Sequence, residues 1–332
     1  MRFVVGADSE NLDRSVTLGV SAIVGDSVVH FADPFHEETN QHCLRRLDPE
    51  FYHVSADALA PLATQDEGQA AACNLRLLYH HAVESLLALV CASLQAPHYV
   101  PGWLATYKTV ELRGLVSRIS RSQPISVAVR PNQPGWLGFV SMFAARMEPS
   151  PTAEDIEQNT LVFHQLARDI NDSNMNREYA SLKHGLRSSA GGAMLKFAPN
   201  DAHGKPIRDR EVTLGGEPHG TSFFRYDVIS RNPAIRACSH HSLNWDPAVL
   251  VDRISWAATW FANVRAMALS MCDQSSHSVI FPDADACNGA LRRGTTLPHS
   301  SHQYNVDITE LKKLIASQGR VAAKTTWPPT QS

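Results

Sequence analysis

The sequence predicts an α+β fold that is mainly helical, with a helical-bundle core and β-hairpin additions at the N-terminus and between bundle helices. Three observations predict it. Apolar residues at helical spacing recur between residues 68 and 273, β-branched runs lie near the N-terminus, and strand-like pieces fill about residues 193–235. The 332 residues are 43% apolar and 19% charged, so the chain is long and apolar enough to bury a core.

The N-terminal part begins with a predicted hairpin. Two β-branched runs flank Gly25-Asp26 within residues 15–33, and this pattern is typical of a short turn between two strands. The next stretch, DPEFYHVSADALAPL, is predicted to be irregular or briefly helical. From Gly68 the chain reads AAACNLRLLYHHAVESLLALVCASLQA, which is apolar on nearly every side before Pro97 breaks it. We therefore expect a buried core helix and no membrane partner.

Later segments carry helix start signals. A second helix is expected over Trp103–Ser120, with Lys108, Arg113, Arg118 and Arg121 away from its apolar side. Ser150 or Thr152 can cap a helix that continues through AEDIEQ, and Asp246 with Pro247 opens the longest predicted helix. Lys108, Arg113, Arg118, Arg121 and Arg130 outnumber the one acid between them, Glu111, so this face can contact RNA phosphates or be a solvated helix face.

Three segments are expected. Residues 1–67 form an N-terminal β-containing segment packed on the core, and residues 68–273 form the bundle with its β insertion at about 193–235. Residues 274–332 are polar and proline-containing, which predicts an irregular C-terminal segment.

Charge and cysteine content limit the classes of function. The net charge of −3 argues against a surface coated for nonspecific nucleic-acid binding. Six cysteines without a CxxC pair, and an N-terminus without a long apolar run, predict reduced thiols and a cytoplasmic protein. CSHHS (238–242) and HSSH (299–302) hold ligand-like residues, but no second pair lies at a structural-zinc spacing. We expect neither a metal nor a cofactor.

The stretch NREYASLKHGLRSSAGG, residues 176–192, carries the sharpest functional signal. At about 100° per residue, Arg177, Ser181 and His184 lie within about 60° of one another on a helix. Met175, Tyr179, Leu182 and Leu186 share the opposite side, which we expect to face the bundle. The wheel therefore predicts an outward face that carries an arginine and a histidine.

Arginine and histidine together can act on a phosphodiester. A guanidinium binds phosphate oxygens in a fork, and an imidazole moves protons near neutral pH. We expect His184 to act as general acid or base and Arg177 to stabilise the developing charge, with Ser181, Lys183 and Arg187 in support. The following SSAGG can offer backbone amides to an anion. The alternative interpretation is a solvated or structurally bonded helix face.

An arginine, a polar residue and a histidine after a gap of four to six residues, within a helical bundle, resemble the HEPN superfamily. REYASLKH matches this pattern at Arg177 and His184, although Glu178 stands where the family more often has Asn, Asp or His. The resemblance covers roughly residues 68–273. It implies a metal-independent ribonuclease that dimerises so that two motifs meet, and hence a homodimer and RNA as partners.

Two alternatives accompany this hypothesis. Glu84 shares a helix face with His80, and either it orients His184 or Arg177, or the two form a buried polar pair satisfied by neighbours. Buried Glu84 would need a partner, for which Arg76 is a candidate. The whole chain is alternatively a non-catalytic helical module that binds a protein or nucleic-acid partner.

Overall fold

The computed structural model places most of the chain. The structure describes the following residues: 19–65, 68–125, 135–147, 149–185, 187–192, 194–197, 199, 203, 205–207, 212–216, 219–228, 236–273, 277–292, 300–303, 313 and 316.

The fold is α+β and mainly helical, as predicted. Its helices are α1 (His36–Arg46), α2 (Glu50–Ala63), α3 (Gln69–Gln95), α4 (Val100–Thr106), α5 (Thr109–Ser120), α6 (Gly135–Ala144), α7 (Ala153–Asn171), α8 (Ser173–Lys183), α9 (Pro247–Asp273) and α10 (Ala284–Leu291). Its strands are β1 (Val20–Val24), β2 (Ser27–Phe31), β3 (Ser188–Ala190), β4 (Met194–Phe197), β5 (Val212–Gly216), β6 (Gly220–Val228), β7 (Arg236–Asn244) and β8 (Ser300–Gln303).

The core forms around α3 and α9, which are both 27 residues long and pack against each other. Helices α1 and α2 also pack on α9, so the N-terminal segment lies against the bundle. Helix α3 is long and apolar enough to cross a membrane by length and composition, and 67% of its most apolar window is buried inside the structure. Its place in the core confirms the prediction of a core helix.

A second part of the core is aromatic. Trp260 is fully buried and lies edge-on to Phe143, Phe163 and Phe281. The indole nitrogens of Trp256 and Trp260 both donate to Oδ1 of Asn159, at 3.1 and 2.8 Å. One buried amide therefore joins α7 to α9 within an otherwise apolar cluster.

The N-terminal hairpin is confirmed. Strands β1 and β2 pair antiparallel across Gly25-Asp26, and Gly25 has φ +64°, a left-handed conformation that glycine adopts without strain. Gln95 binds this turn from the end of α3: its Oε1 accepts from the Gly25 amide at 3.1 Å, and its Nε2 donates to the Gly25 carbonyl at 2.9 Å. The buried amide of Gln95 thereby fixes the hairpin on the bundle.

The predicted starts of α7 and α9 are also confirmed. Thr152 caps α7, because its hydroxyl accepts from the Asp155 amide at 3.1 Å and Asp155 Oδ2 accepts from the Thr152 amide at 3.0 Å. Asp246 accepts from the Ala248 amide at 2.8 Å at the start of α9, where Pro247 is the first helical residue.

The β structure lies between α8 and α9 and extends beyond the predicted insertion. Strands β3, β6, β7 and β8 form an antiparallel sheet in that order, and β4 pairs with β5 separately. The sheet therefore begins at Ser188 and takes a strand from the C-terminal segment. The pattern at 193–235 misses these ends because β3 and β8 consist mostly of serine and polar residues, which carry a weak strand signal.

Four helical segments differ from the prediction. The stretch predicted to be irregular or briefly helical forms α2, a helix of 14 residues, and α10 forms within the predicted irregular C-terminal segment, where Asp283 caps it. The expected helix over Trp103–Ser120 is two helices, because Lys108 is extended and its amide donates to Glu111 Oε2 at 3.0 Å at the start of α5. Helix α6 was not predicted, since its sequence GWLGFVSMFA has no polar side.

The cysteines that the structure describes with their side chains are free thiols. They are Cys43, Cys73, Cys91, Cys272 and Cys287.

Candidate functional site

Helix α8 carries the candidate residues. It starts at Ser173 because Asp172 Oδ1 accepts from the amides of Asn174 and Met175, at 2.8 and 2.9 Å. It ends at Lys183, and His184 is the residue that follows its last turn. Gly185 then adopts φ +63°, which lets the chain turn towards β3. His184 thus stands at the end of the helix.

The helical wheel is wrong about which side of α8 is buried. Glu178 is 0% exposed and Ser181 is 6% exposed, whereas Met175, Tyr179 and Leu182 are only half-buried. Helices α3 and α7 and strands β3 and β6 contact α8 and cover the side that carries Glu178. Ser181 is therefore not on an outward face beside His184, and Glu178 does not lie in solvent next to the candidate arginine.

Glu178 binds three partners inside the protein. Its Oε2 accepts from Nε and Nη2 of Arg76 at 3.0 and 2.7 Å, and it lies 3.2 Å from Nε2 of His80. Its Oε1 accepts from the indole nitrogen of Trp245 at 3.2 Å. The carboxylate joins α8 to α3 and to Trp245, which lies two residues before α9, and every partner compensates part of its desolvation.

Asp169 forms a second buried acid cluster beside the first. It accepts from the hydroxyl of Tyr79, from Nε2 of Gln165 at 2.7 Å and from Nη1 of Arg253 at 3.3 Å. The Arg76 guanidinium lies over the Tyr79 ring, 5.4 Å from its centroid, so the two clusters are adjacent. We call these residues the buried charge cluster: Arg76, Tyr79, His80, Asp169, Glu178 and Arg253.

The environment shifts the pKa values of Glu178 and His80. Burial acts to raise the pKa of Glu178, but the charge of Arg76 and the hydrogen bond from His80 outweigh it and lower that pKa to about 2. Burial and the charge of Arg76 lower the pKa of His80, against the influence of Glu178. His80 is therefore neutral at neutral pH and donates Nε2–H to Glu178.

These shifts predict how stability depends on pH. Both pKa values are lower in the folded state, so folding releases protons and acidification opposes it. The contribution of His80 is present above its ordinary pKa of 6.5 and is lost as the pH falls through the folded value; that of Glu178 is present above 4.5 and is lost towards about 2. We expect the free energy of unfolding, from urea titrations, to fall continuously over this range. A Glu178→Gln variant with an unchanged slope below pH 4.5 would contradict this assignment.

The exposed end of α8 carries the remaining candidate residues. Lys183, His184 and Arg187 are all exposed, and Arg177 is half-buried and takes part in interactions with the rest of the chain. The ammonium of Lys183 lies 4.7 Å from the centroid of the Tyr179 ring. The structure thus gathers two basic residues and one histidine at this end, with Arg177 one to two turns earlier on the same helix.

Glu84 has partners other than those proposed for it. Its carboxylate accepts from the hydroxyls of Tyr179 and Thr109, at 3.0 and 3.4 Å, and it is half-buried. His80 stacks on the Tyr179 ring at 5.0 Å between centroids. Neighbours therefore satisfy His80 and Glu84 separately, and Arg76 pairs with Glu178 instead of with Glu84.

The SSAGG segment is not an anion-binding loop over its first three residues. Ser188, Ser189 and Ala190 form β3, which pairs antiparallel with β6. Backbone amides in this strand serve the sheet ladder, and the Gly191 amide donates to the Gly220 carbonyl at 3.0 Å. Leu186, expected on the apolar side of α8, lies outside the described residues.

The histidine-rich strands β7 and β8 lie next to each other in the sheet. His241 is buried and stacks on Phe223 with centroids 5.8 Å apart, and His240 contacts Phe224. His302 lies opposite His240 in the register of β7 and β8, and His299 lies outside the described residues. Within the described part of the chain, no three His, Cys, Asp or Glu side chains are grouped to hold a metal ion.

A basic groove lies between α5 and α7. It has a volume of about 410 Å³, and its polar lining comes from Arg121, Arg168, His164, Asn171, Ser117 and Ser120. No carboxylate lines it among the described residues. Arg118, the other arginine at this end of α5, pairs with Asp26 at 2.8 Å, and Arg130 lies outside the described residues. The groove presents hydrogen-bond donors and positive charge to solvent.

The chain was compared with known families, curated proteins and solved structures. No family model, no curated protein and no solved structure matches it.

Proposed function

We propose that this protein binds RNA at the exposed end of α8 and cleaves it without a metal ion, with Arg177 and His184 as the reacting groups. The observation that carries the proposal is the exposure of Lys183, His184 and Arg187 together at one end of a helix that also bears Arg177. The proposal includes a cytoplasmic location without a membrane partner, in keeping with the free thiols of the described cysteines.

The chemistry is a transesterification. The 2′-hydroxyl of a ribose attacks the neighbouring phosphorus, the 2′-O–P bond forms, and the P–O5′ bond breaks. His184 takes the proton from the 2′-hydroxyl or gives one to the 5′-oxygen, and Arg177 binds the non-bridging oxygens as their charge grows. The products are a 2′,3′-cyclic phosphate and a 5′-hydroxyl.

A homodimer completes this site in the proposal. Arg177 and His184 are about 10 Å apart along the helix axis, and one histidine cannot be both base and acid in the same step. A second α8 across a two-fold axis supplies the other imidazole and places two arginines near one phosphate. The HEPN resemblance implies the same arrangement.

The groove between α5 and α7 supports RNA as the substrate. Arg121 and Arg168 are exposed there and line the same concave surface as Asn171, the last residue of α7 before the α8 cap. A groove with donors and without carboxylates can hold phosphates of a strand that continues to α8.

A second candidate function is a non-catalytic module that binds RNA or a protein. The burial of Glu178 and Ser181 favours it, because these two residues of the REYASLKH motif then serve the packing of α8 and not a reaction. In this alternative, Lys183, His184 and Arg187 contribute a binding surface only.

The test is RNA cleavage in EDTA by the natural chain and by Arg177→Ala and His184→Ala. We expect cleavage by the natural chain and a loss of at least about 100-fold in either variant. His98→Ala and Arg46→Ala are matched controls, since both residues are exposed and lie elsewhere. They should cleave at the natural rate.

The other possible results of this experiment also distinguish the two candidate functions. Equal cleavage by all five proteins would remove Arg177 and His184 from the reaction. Binding of unmodified RNA without any cleavage, weakened by Arg177→Ala, would establish the binding module. If the natural chain neither binds nor cleaves RNA, the proposal is wrong.

A further inference from the structure

A second concave site lies on the other side of the buried charge cluster, between α7, α8 and the start of α9. This cleft has a volume of about 450 Å³, within the range of small-molecule sites. Its polar lining includes the arginines Arg76, Arg168 and Arg253 and the acids Asp169 and Asp246. Neither Arg177 nor His184 lines it, although it shares Arg168 with the basic groove between α5 and α7.

Three guanidinium groups present unused donors to this cleft. A guanidinium has five N–H bonds, and Arg76 uses only Nε and Nη2 on Glu178. Arg253 uses Nε on the Ala290 carbonyl and Nη1 on Asp169, and Arg168 uses Nη2 on Gln165. Among the described residues, Nη1 of Arg76, Nη2 of Arg253, and Nε and Nη1 of Arg168 make no hydrogen bond.

Among these arginines, Arg76 has the least contact with solvent for its unpaired N–H groups. Arg76 is 5% exposed, so water reaches little of its guanidinium, and buried polar groups as a rule are hydrogen-bonded. Its ring neighbours, Tyr79 and Trp245, lie 5.4 and 5.9 Å away and offer only their faces. Nη1 of Arg76 is the donor left for an acceptor placed in the cleft.

The acids at the cleft are already engaged. Asp169 accepts from three side chains, and Asp246 caps α9, whose N-terminal dipole offsets its charge. Arg168 has no carboxylate partner within the part of the chain that the structure describes. Arg76 and Arg253 are paired with Glu178 and Asp169, so Arg168 is the guanidinium at the cleft that is left for an added anion, among the described residues.

The rest of the cleft is apolar. Its remaining wall comes from Met175, Leu243, Val249 and Leu250, together with the Trp245 ring. A polar end with several N–H donors and an apolar end within one cavity are the features of a site that orients an amphiphilic small ligand.

We propose that this cleft binds a small organic anion, with its phosphate or carboxylate group on Arg76, Arg168 and Arg253 and its apolar or aromatic body against Leu243 and Val249. Phosphate and carboxylate offer the same chemistry here, since either accepts the forked donors of a guanidinium. The ligand needs no contact with the exposed end of α8.

The test is calorimetric titration with phenyl phosphate, benzoate and adenosine monophosphate, with neutral benzamide and adenosine as their uncharged counterparts. We expect at least one anion to bind with Kd below about 1 mM and its counterpart to bind at least about tenfold more weakly. Arg168→Glu should abolish anion binding, because it replaces a donor with a like charge.

Two substitutions of equal size at Leu243 separate the effect of charge on anion binding from the effect of side-chain shape. Leu243 is half-buried in the cleft wall, so Leu243→Glu places a carboxylate beside the ligand and Leu243→Gln places a neutral side chain of the same size there. We expect the Glu variant to weaken anion binding about tenfold more than the Gln variant. Thermal unfolding without ligand verifies that both variants fold.

Three results would overturn the proposal: no probe anion bound at about 10 mM, the neutral counterparts bound as tightly as the anions, or equal affinities in the two Leu243 variants. Arg121→Ala lies in the basic groove and outside the cleft, so it should weaken RNA binding and leave anion binding unchanged. Failure of the RNA proposal and failure of this one are thereby distinguishable.

Discussion

Glu178→Gln is expected to lower the free energy of unfolding by about 3–5 kcal/mol. The side chain keeps its size, but Arg76 loses the negative charge that compensates its burial, and both residues are almost fully excluded from solvent. A neutral amide cannot replace this compensation for a guanidinium that is 5% exposed. Urea denaturation followed by far-UV circular dichroism measures the loss.

The matched control is Glu157→Gln, the same substitution at an exposed position of α7. We expect it to change the free energy of unfolding by less than about 0.5 kcal/mol. If the two substitutions proved equally mild, Arg76 would have another source of compensation, and the buried charge cluster would not hold α8 in place.

Asn159→Ala is expected to cost about 3 kcal/mol or more. The amide is fully buried and accepts from two indoles, and its Nδ2 donates to the Asp155 and Pro282 carbonyls, both at 2.8 Å. Its removal leaves the Trp256 and Trp260 N–H groups without an acceptor inside the aromatic core. The same denaturation experiment, with tryptophan fluorescence as a second probe, reports the effect.

Asn171→Ala, at the exposed end of the same helix, is the comparison for Asn159. Its amide donates only to the Ala167 carbonyl at 2.8 Å, and solvent can replace that bond. We expect a cost below about 1 kcal/mol. Equal costs at the two positions would mean that the Asn159 amide contributes nothing beyond its own helix.

The elements that the sequence predicts well have local causes. The hairpin at Gly25-Asp26 follows from a glycine turn between β-branched runs, and the starts of α7 and α9 follow from Thr152 and Asp246. Each signal acts over a few residues. Strand β8 depends instead on a distant partner, β7, and the short helix α6 has no polar side, so neither sequence reveals its element.

The candidate site likewise has features that local sequence predicts and features that depend on partners elsewhere in the chain. The sequence places Arg177, Lys183 and His184 on one helix, and the structure forms that helix and exposes its end. A helical wheel cannot say which side is covered, because the cover comes from other elements. Glu178 is buried by Arg76, 102 residues away along the chain.

One signal for Glu178 was present in the sequence. Arg76 lies on a helix that is apolar on nearly every side, and a charge that is forced into the core needs an opposite charge. Glu84, which is nearer to Arg76 along the chain, is the acid for which Arg76 is the predicted partner. Nothing in the sequence ranks Glu178 above the other acids, and only the packing of α8 on α3 selects it.

Helix α8 therefore has two roles in this account. One side carries a carboxylate that joins three parts of the bundle, and the other end presents basic residues and a histidine to solvent. The fixed side gives the exposed end a defined position, which any binding or catalysis there requires.

A double-mutant cycle between Arg76 and Glu178 tests this account most directly. The unfolding free energies of Arg76→Met, of Glu178→Gln and of the double variant would be measured under one set of conditions. We expect the double variant to be about 2–3 kcal/mol more stable than the sum of the single losses implies, because each single change leaves an uncompensated buried group and the double change leaves none. Strictly additive losses would contradict it, since the two side chains would then not act as a pair.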